Sequence, residues 1–156
     1  MTVAGRTRGM QLMDRLADIG LLKHQGYIDG AWVSADHGRT YAVEDPATGA
    51  EIGQVADMGG EETRRAIAAA EAAWPAWRKK TAKERAAILR RWFDLMMAHQ
   101  RDLAIIMTAE QGKPLGEAMG EIAYGASFVE WFAEEAKRAY GDIIQNRPSS
   151  ALKNVR

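Results

Sequence analysis

Polar and apolar positions change their rhythm once along this chain, at Gly59-Gly60: extended, alternating segments precede that pair and helical spacing follows it. Tyr27-Ile28 and Ala31-Trp32-Val33 place β-formers on both sides of Asp29-Gly30. Such a pair predicts a tight two-stranded hairpin, because glycine accepts positive φ at little cost. A second pair follows, with Thr40–Glu44 and Glu51–Ala56 as strands and residues 45–49, carrying Pro46 and Gly49, as the turn. An isolated ribbon is only marginally stable in water, so the two hairpins are expected to pack together on something else. Ahead of them, Met13, Leu16, Ala17 and Ile19 fall loosely on helical spacing and predict a short, weakly held helix over 10–22.

Beyond Gly60 the text predicts four helices. The first covers 61–73, with Glu61 and Glu62 at its positive end and Pro75 ending or dividing it. Thr81 with Glu84 three residues on is a capping-box signature. It opens a second helix reaching about Ala98, with Ala86, Leu89, Trp92, Phe93 and Met96 as its buried stripe. A third runs over 101–111. The stop that follows, Glu110-Gln111-Gly112-Lys113-Pro114, holds what a helix end and restart need, a glycine C-cap and a proline near the next N-terminus. The last helix spans 115–140. Ile122, Ala126, Val129, Ala133 and Ala136 form one apolar side, and Gly120, Tyr124, Phe128, Trp131 and Ala139 occupy much of the other. A helix apolar on nearly all faces expects contacts all round, more than the rest of the chain supplies. Asp142-Ile143-Ile144 opens a strand, and 145–156 is polar and patternless.

Composition narrows the chemistry. At 156 residues and 47% hydrophobic content the chain can form one domain with a core, and 21 Lys and Arg against 21 Asp and Glu give no general attraction to nucleic acid or an acidic membrane. No run approaches the roughly 20 apolar residues of a membrane span, and the charged start lacks a secretory core, so a soluble cytoplasmic protein is expected. The sequence holds no cysteine, which removes disulfides, thiolate metal ligation and any cysteine nucleophile from these residues.

Five segments, in order and without obvious gaps between about Gly26 and Ile144, carry a resemblance. They are Tyr27-Ile28-Asp29-Gly30-Ala31-Trp32, Asp45-Pro46-Ala47-Thr48-Gly49, the helix from Thr81 to Phe93, Glu110-Gln111-Gly112-Lys113-Pro114-Leu115, and the run from Phe128 to Arg138. Together the chain resembles the N-terminal portion of the aldehyde dehydrogenase superfamily, nearest its succinate-semialdehyde branch. The resemblance implies an α/β enzyme whose part represented here is mainly α-helical with N-terminal β-hairpins. It divides the chain into an extension with a short helix at 1–25, an incomplete N-terminal part of the cofactor-binding domain at 26–144, and a divergent tail at 145–156. It further implies NADP or NAD as cofactor in the complete family and oxidation of an aldehyde to a carboxylate.

In that family the oxyanion asparagine, the ribose-side lysine, the glycine turn under the pyrophosphate, the general-base glutamate and the nucleophilic cysteine all follow the position of Ile144. Covalent aldehyde oxidation needs a thiolate, oxyanion donors and a nicotinamide to take the hydride. These residues are therefore expected to be inactive alone, to bind no cofactor alone, and to self-associate or await a complementing C-terminal portion. The alternative is a stand-alone helical module that binds a partner or a full-length homologue.

The resemblance also implies that Gly120, Tyr124 and Phe128 line the aldehyde entry tunnel of a complete enzyme. No catalytic, cofactor-binding or metal residue is assigned. His24, His37 and His99 stand apart, with none at ligand spacing, and read as structural or solvent-facing. Arg90-Arg91, near Glu84 and Asp94, reads as a solvated helix surface. Glu130, Glu134 and Glu135 read as surface partners of Lys137 and Arg138.

Overall fold

A computed structural model describes residues 12–141. The strand expected after Gly141 and the patternless tail lie outside the described residues, as does much of the extension at 1–25. Two antiparallel hairpins lead into four helices. The hairpins are β1 (Gly26–Ile28) with β2 (Ala31–Val33), and β3 (Thr40–Glu44) with β4 (Glu51–Ala56). The helices are α1 (Gly60–Lys79), α2 (Ala82–Ala98), α3 (Gln100–Gln111) and α4 (Leu115–Glu135).

Asp29 and Gly30 take φ 50° and 81°, the paired left-handed geometry that lets strands carrying a right-handed twist meet through two residues. Tyr27 then faces Trp32 across the pair, ring centroids 5.2 Å apart. In the second turn the Asp45 carboxylate accepts from Ala47 N–H at 2.8 Å and from Thr48 Oγ1 at 2.9 Å. The hairpins form two separate two-stranded sheets, and Ala56 N–H at the end of β4 donates to the carbonyl of His24, two residues before β1, at 2.9 Å.

Three helix readings change. Residues 10–22 are not one helix: Leu12 and Met13 are helical, and a 3-10 turn covers Ile19–Leu21 after Asp18 caps Gly20 N–H at 2.8 Å. Side chains that bond nearby backbone groups offer the chain an alternative to helix, and here they win. The first long helix does not end at Pro75 but runs through it to Lys79. Pro75 removes the bond to the Glu71 carbonyl, yet both residues are exposed, so water can take the freed acceptor. The final α-helix stops at Glu135, and Ala136–Arg138 tightens into a 3-10 turn, short of the expected Tyr140.

Thr81 and Glu84 do form the capping box: the Thr81 hydroxyl accepts from Glu84 N–H at 3.3 Å and the Glu84 carboxylate from Thr81 N–H at 2.7 Å. Gly112 takes φ 82° and closes α3 by donating to the Thr108 carbonyl at 2.9 Å.

α4 packs against both α2 and α3. Ala118 and Ala126 are fully buried and Ala133 nearly so, giving the small-residue seam that lets helix backbones approach. Ala86 is buried on α2 while Leu89, Phe93 and Met96 are half-buried; Trp92, one step round from Phe93, is 56% exposed and leaves the predicted stripe. A second cluster gathers Leu12, Leu16 and Ile105, with Leu22, Ile106 and Leu115 against it.

Two buried carboxylates pin the hairpin half to the helices. Asp102, in the first turn of α3, accepts from Ala17 N–H at 3.1 Å and Asp18 N–H at 2.8 Å; these bonds, Asp18's foremost, hold its carboxyl below the ordinary value. Glu62, in the first turn of α1, accepts from Asp36 N–H at 2.9 Å and Gly59 N–H at 3.0 Å. The Asp36 bond is the leading cause that brings the Glu62 carboxyl from 4.5 down to about 2. Beside it Arg65 forks onto the Asp36 carboxylate at 2.6 and 2.7 Å, which lowers that carboxyl as well.

A carboxyl depressed on folding stabilises above its unfolded value and loses that contribution as pH falls through its folded value. Glu62 should therefore make unfolding easier as pH drops from about 4.5 toward about 2. Glu62→Gln should lower stability at neutral pH and flatten that slope, as measured by urea unfolding at stepped pH. An unchanged slope would mean that Glu62 is not the clamp.

Candidate functional site

Gly120, Tyr124 and Phe128 lie in one row on the side of α4 turned away from α2 and α3, all exposed. The spacing of four residues stacks them along the helix, and Trp131 extends the row. Tyr124 and Phe128 meet edge to face, with centroids 4.9 Å apart at 86°. Ser127 Oγ donates back to the Tyr124 carbonyl at 2.7 Å. Tyr124 is 67% and Trp131 63% exposed, so the expected two-sided helix is observed, one side seated and the other bare.

The row borders an open groove of about 880 Å³, lined among others by Arg90, Phe128, Trp131, Glu134 and Arg138. Its charges are engaged. Arg90 reaches Glu130 across the helix pair at 2.8 Å, with its guanidinium 5.2 Å from the Phe93 ring centroid. Glu130 thus pairs with α2, not with Lys137 or Arg138 as its spacing suggested. Glu134 pairs with Lys137 at 3.0 Å and Glu135 with Arg138 at 2.5 Å, as the spacing did suggest. Lys137, first among the causes, lowers the Glu134 carboxyl. The groove offers aromatic faces and neutralised ion pairs, an arrangement that seats and orients an apolar body.

Gly120 has no packing role among the described residues. A Cβ added there meets nothing within 4 Å. Glycine inside a helix costs roughly 0.5–1 kcal/mol relative to alanine, and no contact among the described residues offsets it at Gly120.

The glycine turn between β4 and α1 is not a free cradle for a pyrophosphate. The strand-to-helix glycine turn, β4 to Gly59-Gly60 to α1, is where a pyrophosphate would meet free amides and the positive end of a helix. Here the Glu62 carboxylate already occupies Gly59 N–H, and its low pKa keeps it negative. A phosphate would face that charge. Among the described residues no group of three or more His, Asp or Glu could hold a metal ion. His24 Nδ1 donates to the Gln54 carbonyl at 2.9 Å, and His37 Nδ1 accepts from Arg39 N–H at 3.3 Å.

The Asp102 and Glu62 clamps, with Arg65 on Asp36, were not found from the sequence. Acidic residues in a first helical turn were visible as a signal, but their backbone partners lie 84 and 26 residues away for Asp18 and Asp36.

The sequence profile of the aldehyde dehydrogenase family matches residues 32–156. Among curated proteins, a glutarate-semialdehyde dehydrogenase of Pseudomonas aeruginosa is 65% identical over 130 residues, covering 83% of this chain and 27% of that protein. An Escherichia coli succinate-semialdehyde dehydrogenase whose name specifies NADP(+) is 59% identical over 130 residues, with the same shares. Among solved structures, a succinate-semialdehyde dehydrogenase from Burkholderia pseudomallei superposes with a TM-score of 0.81 at 62% identity, over 84% of this chain and 27% of that one. The chain spans about 27% of the length of the curated relatives it matches. Among the described residues no helix is long and apolar enough to cross a membrane.

Proposed function

Since this chain belongs to the aldehyde dehydrogenase family, we propose that it provides the opening structural part of a cytoplasmic NAD(P)-dependent semialdehyde dehydrogenase. The complete enzyme would oxidise a short semialdehyde to the carboxylate, as the names of its relatives suggest. The residues in hand brace that enzyme and line the approach to its reaction centre. They supply no thiol, and the inactivity of these 156 residues alone is part of the proposal.

The observation that carries this reading is the Gly120–Tyr124–Phe128 row. It is an exposed aromatic strip on a helix fixed firmly by its other side, with a glycine that no neighbour among the described residues requires. Such a strip suits a wall completed by further polypeptide, along which an aldehyde's carbon chain can pass. NADP is favoured by the E. coli relative's name, and NAD is the comparison arm of the test.

Complementation tests it. The chain is mixed with a separately expressed polypeptide carrying the remainder of the P. aeruginosa relative. Formation of reduced cofactor is then followed with succinate and glutarate semialdehydes and either dinucleotide. Neither piece should turn over alone, and the mixture should. Turnover by the chain unaided would defeat the proposal. A stable, monodisperse chain that gains nothing from the added polypeptide would support a stand-alone interaction module instead.

Gly120→Ala separates lining from packing. It should raise the stability of the isolated chain by about 0.5–1 kcal/mol, through better helix propensity. In the complemented enzyme it should lower kcat/KM, because the methyl enters the wall. A gain in stability with no loss of kcat/KM would remove Gly120 from the lining.

A further inference from the structure

Gly120 stands where α4 is loosest as a helix, and side chains from outside α4 grip the chain on both sides of it. Gly116, Gly120 and Gly125 all lie in the first half of that helix, and glycine leaves a backbone freer than any other residue. At one flank Gln100 Nε2, from the start of α3, donates to the Met119 carbonyl at 2.9 Å. At the other, Lys113, in the connection between α3 and α4, pairs with the Glu121 carboxylate, its own side chain only 17% exposed. Met119 and Glu121 lie about 100° round the helix from Gly120 in opposite directions, so the turn is held at its sides while its front stays open.

The Met119 carbonyl already accepts from Ala123 N–H inside the helix, so the Gln100 bond is an addition and not the rescue of an unpaired group. Among the described residues Gln100 is the one side chain outside α4 that bonds its backbone. The seam of Ala118, Ala126 and Ala133 sets how near α4 lies to its neighbours, but methyl groups form shallow ridges that do little to stop a helix turning about its axis. We propose that Gln100 and Lys113 are positioning residues for aldehyde binding, a role that presupposes the α4 row as the wall of the aldehyde's path. They fix the rotation of α4 at the Gly120 turn, so that Tyr124 and Phe128 meet the substrate at one depth. Neither belongs to the row, and both act through α4.

Gln100→Glu and Lys113→Met test this by two measurements. Gln100→Glu keeps the shape and removes the donor, and an acid at the start of α3 suits the positive end of that helix, so the fold is retained. In the isolated chain, hydrogen exchange at the Ala123 and Tyr124 amides, which bond the Met119 and Gly120 carbonyls, should quicken about three- to tenfold in either variant. Exchange at the Ile105 amide should stay as in the parent. In the enzyme complemented with the remainder of the P. aeruginosa relative, KM for glutarate semialdehyde should rise about three- to tenfold while kcat stays within about twofold. Lys113→Arg, which keeps the ion pair, should hold the parent's KM.

Unchanged exchange at Ala123 and Tyr124 would overturn the proposal, since the two grips would then fix nothing. A fall in kcat at constant KM would overturn it as well, because loss of active enzyme is what a merely structural contact gives. With an active parent mixture, either result removes the role of these two residues and leaves the wall in place. A parent mixture without turnover removes the wall, and the positioning role with it.

Discussion

Ile105→Ala should lower the free energy of unfolding by about 3 kcal/mol, within the 2–5 kcal/mol typical of such truncations. Ile105 is 1% exposed and is the largest side chain that this fold buries completely among the described residues. It joins Leu12 and Leu16 to α3, so its loss leaves a void between the leading segment and the helices. Small domains hold only about 5–15 kcal/mol in reserve, and this one rests on few large buried groups. Urea unfolding should show a lower midpoint with an unchanged m-value. Ile67→Ala, at a position 62% exposed, should move it by less than about 0.5 kcal/mol. If both substitutions cost the same, Ile105 is not the centre of that cluster.

Ala126→Leu should cost about 1–3 kcal/mol by the opposite route. Ala126 is fully buried in the seam where α4 meets its neighbours, and a Cβ added at the adjacent Gly125 already comes within 4.0 Å of Met96 Cε. Three extra carbons must push the helices apart or force Met96 aside. Near-ultraviolet circular dichroism should weaken along with stability, because α2, which packs against α4, carries the half-buried Phe93. Phe128→Leu, on the bare side of the same helix, should leave stability near the parent. A neutral Ala126→Leu would mean that the seam is looser than its burial suggests.

Local chemistry was legible in the sequence and distant chemistry was not. Asp29-Gly30, the 45–49 turn, the Thr81–Glu84 box and the Gly112 stop each fix the backbone within a few residues. All four appear in the structure at the expected places. The two-sided character of α4 followed from spacing alone. Pro75 misled because proline's cost depends on whether the freed carbonyl can reach water, which a sequence does not show. Trp92 leaves the stripe because hydrophobicity does not fix angle: one residue is about a 100° rotation, enough to move a ring from the seam to solvent. Asp102 was invisible as a clamp because its partners are amides that only the folded chain brings near.

That clamp has a consequence for synthesis. The amides of Ala17 and Asp18 find their acceptor only when Asp102 has been made, 84 residues after Asp18. At elongation rates of about 5–20 residues per second, the wait is roughly 4 to 17 seconds. During that interval the leading segment must travel through the ribosome's vicinity undocked, within reach of proteases and chaperones, and its first secure attachment arrives with α3.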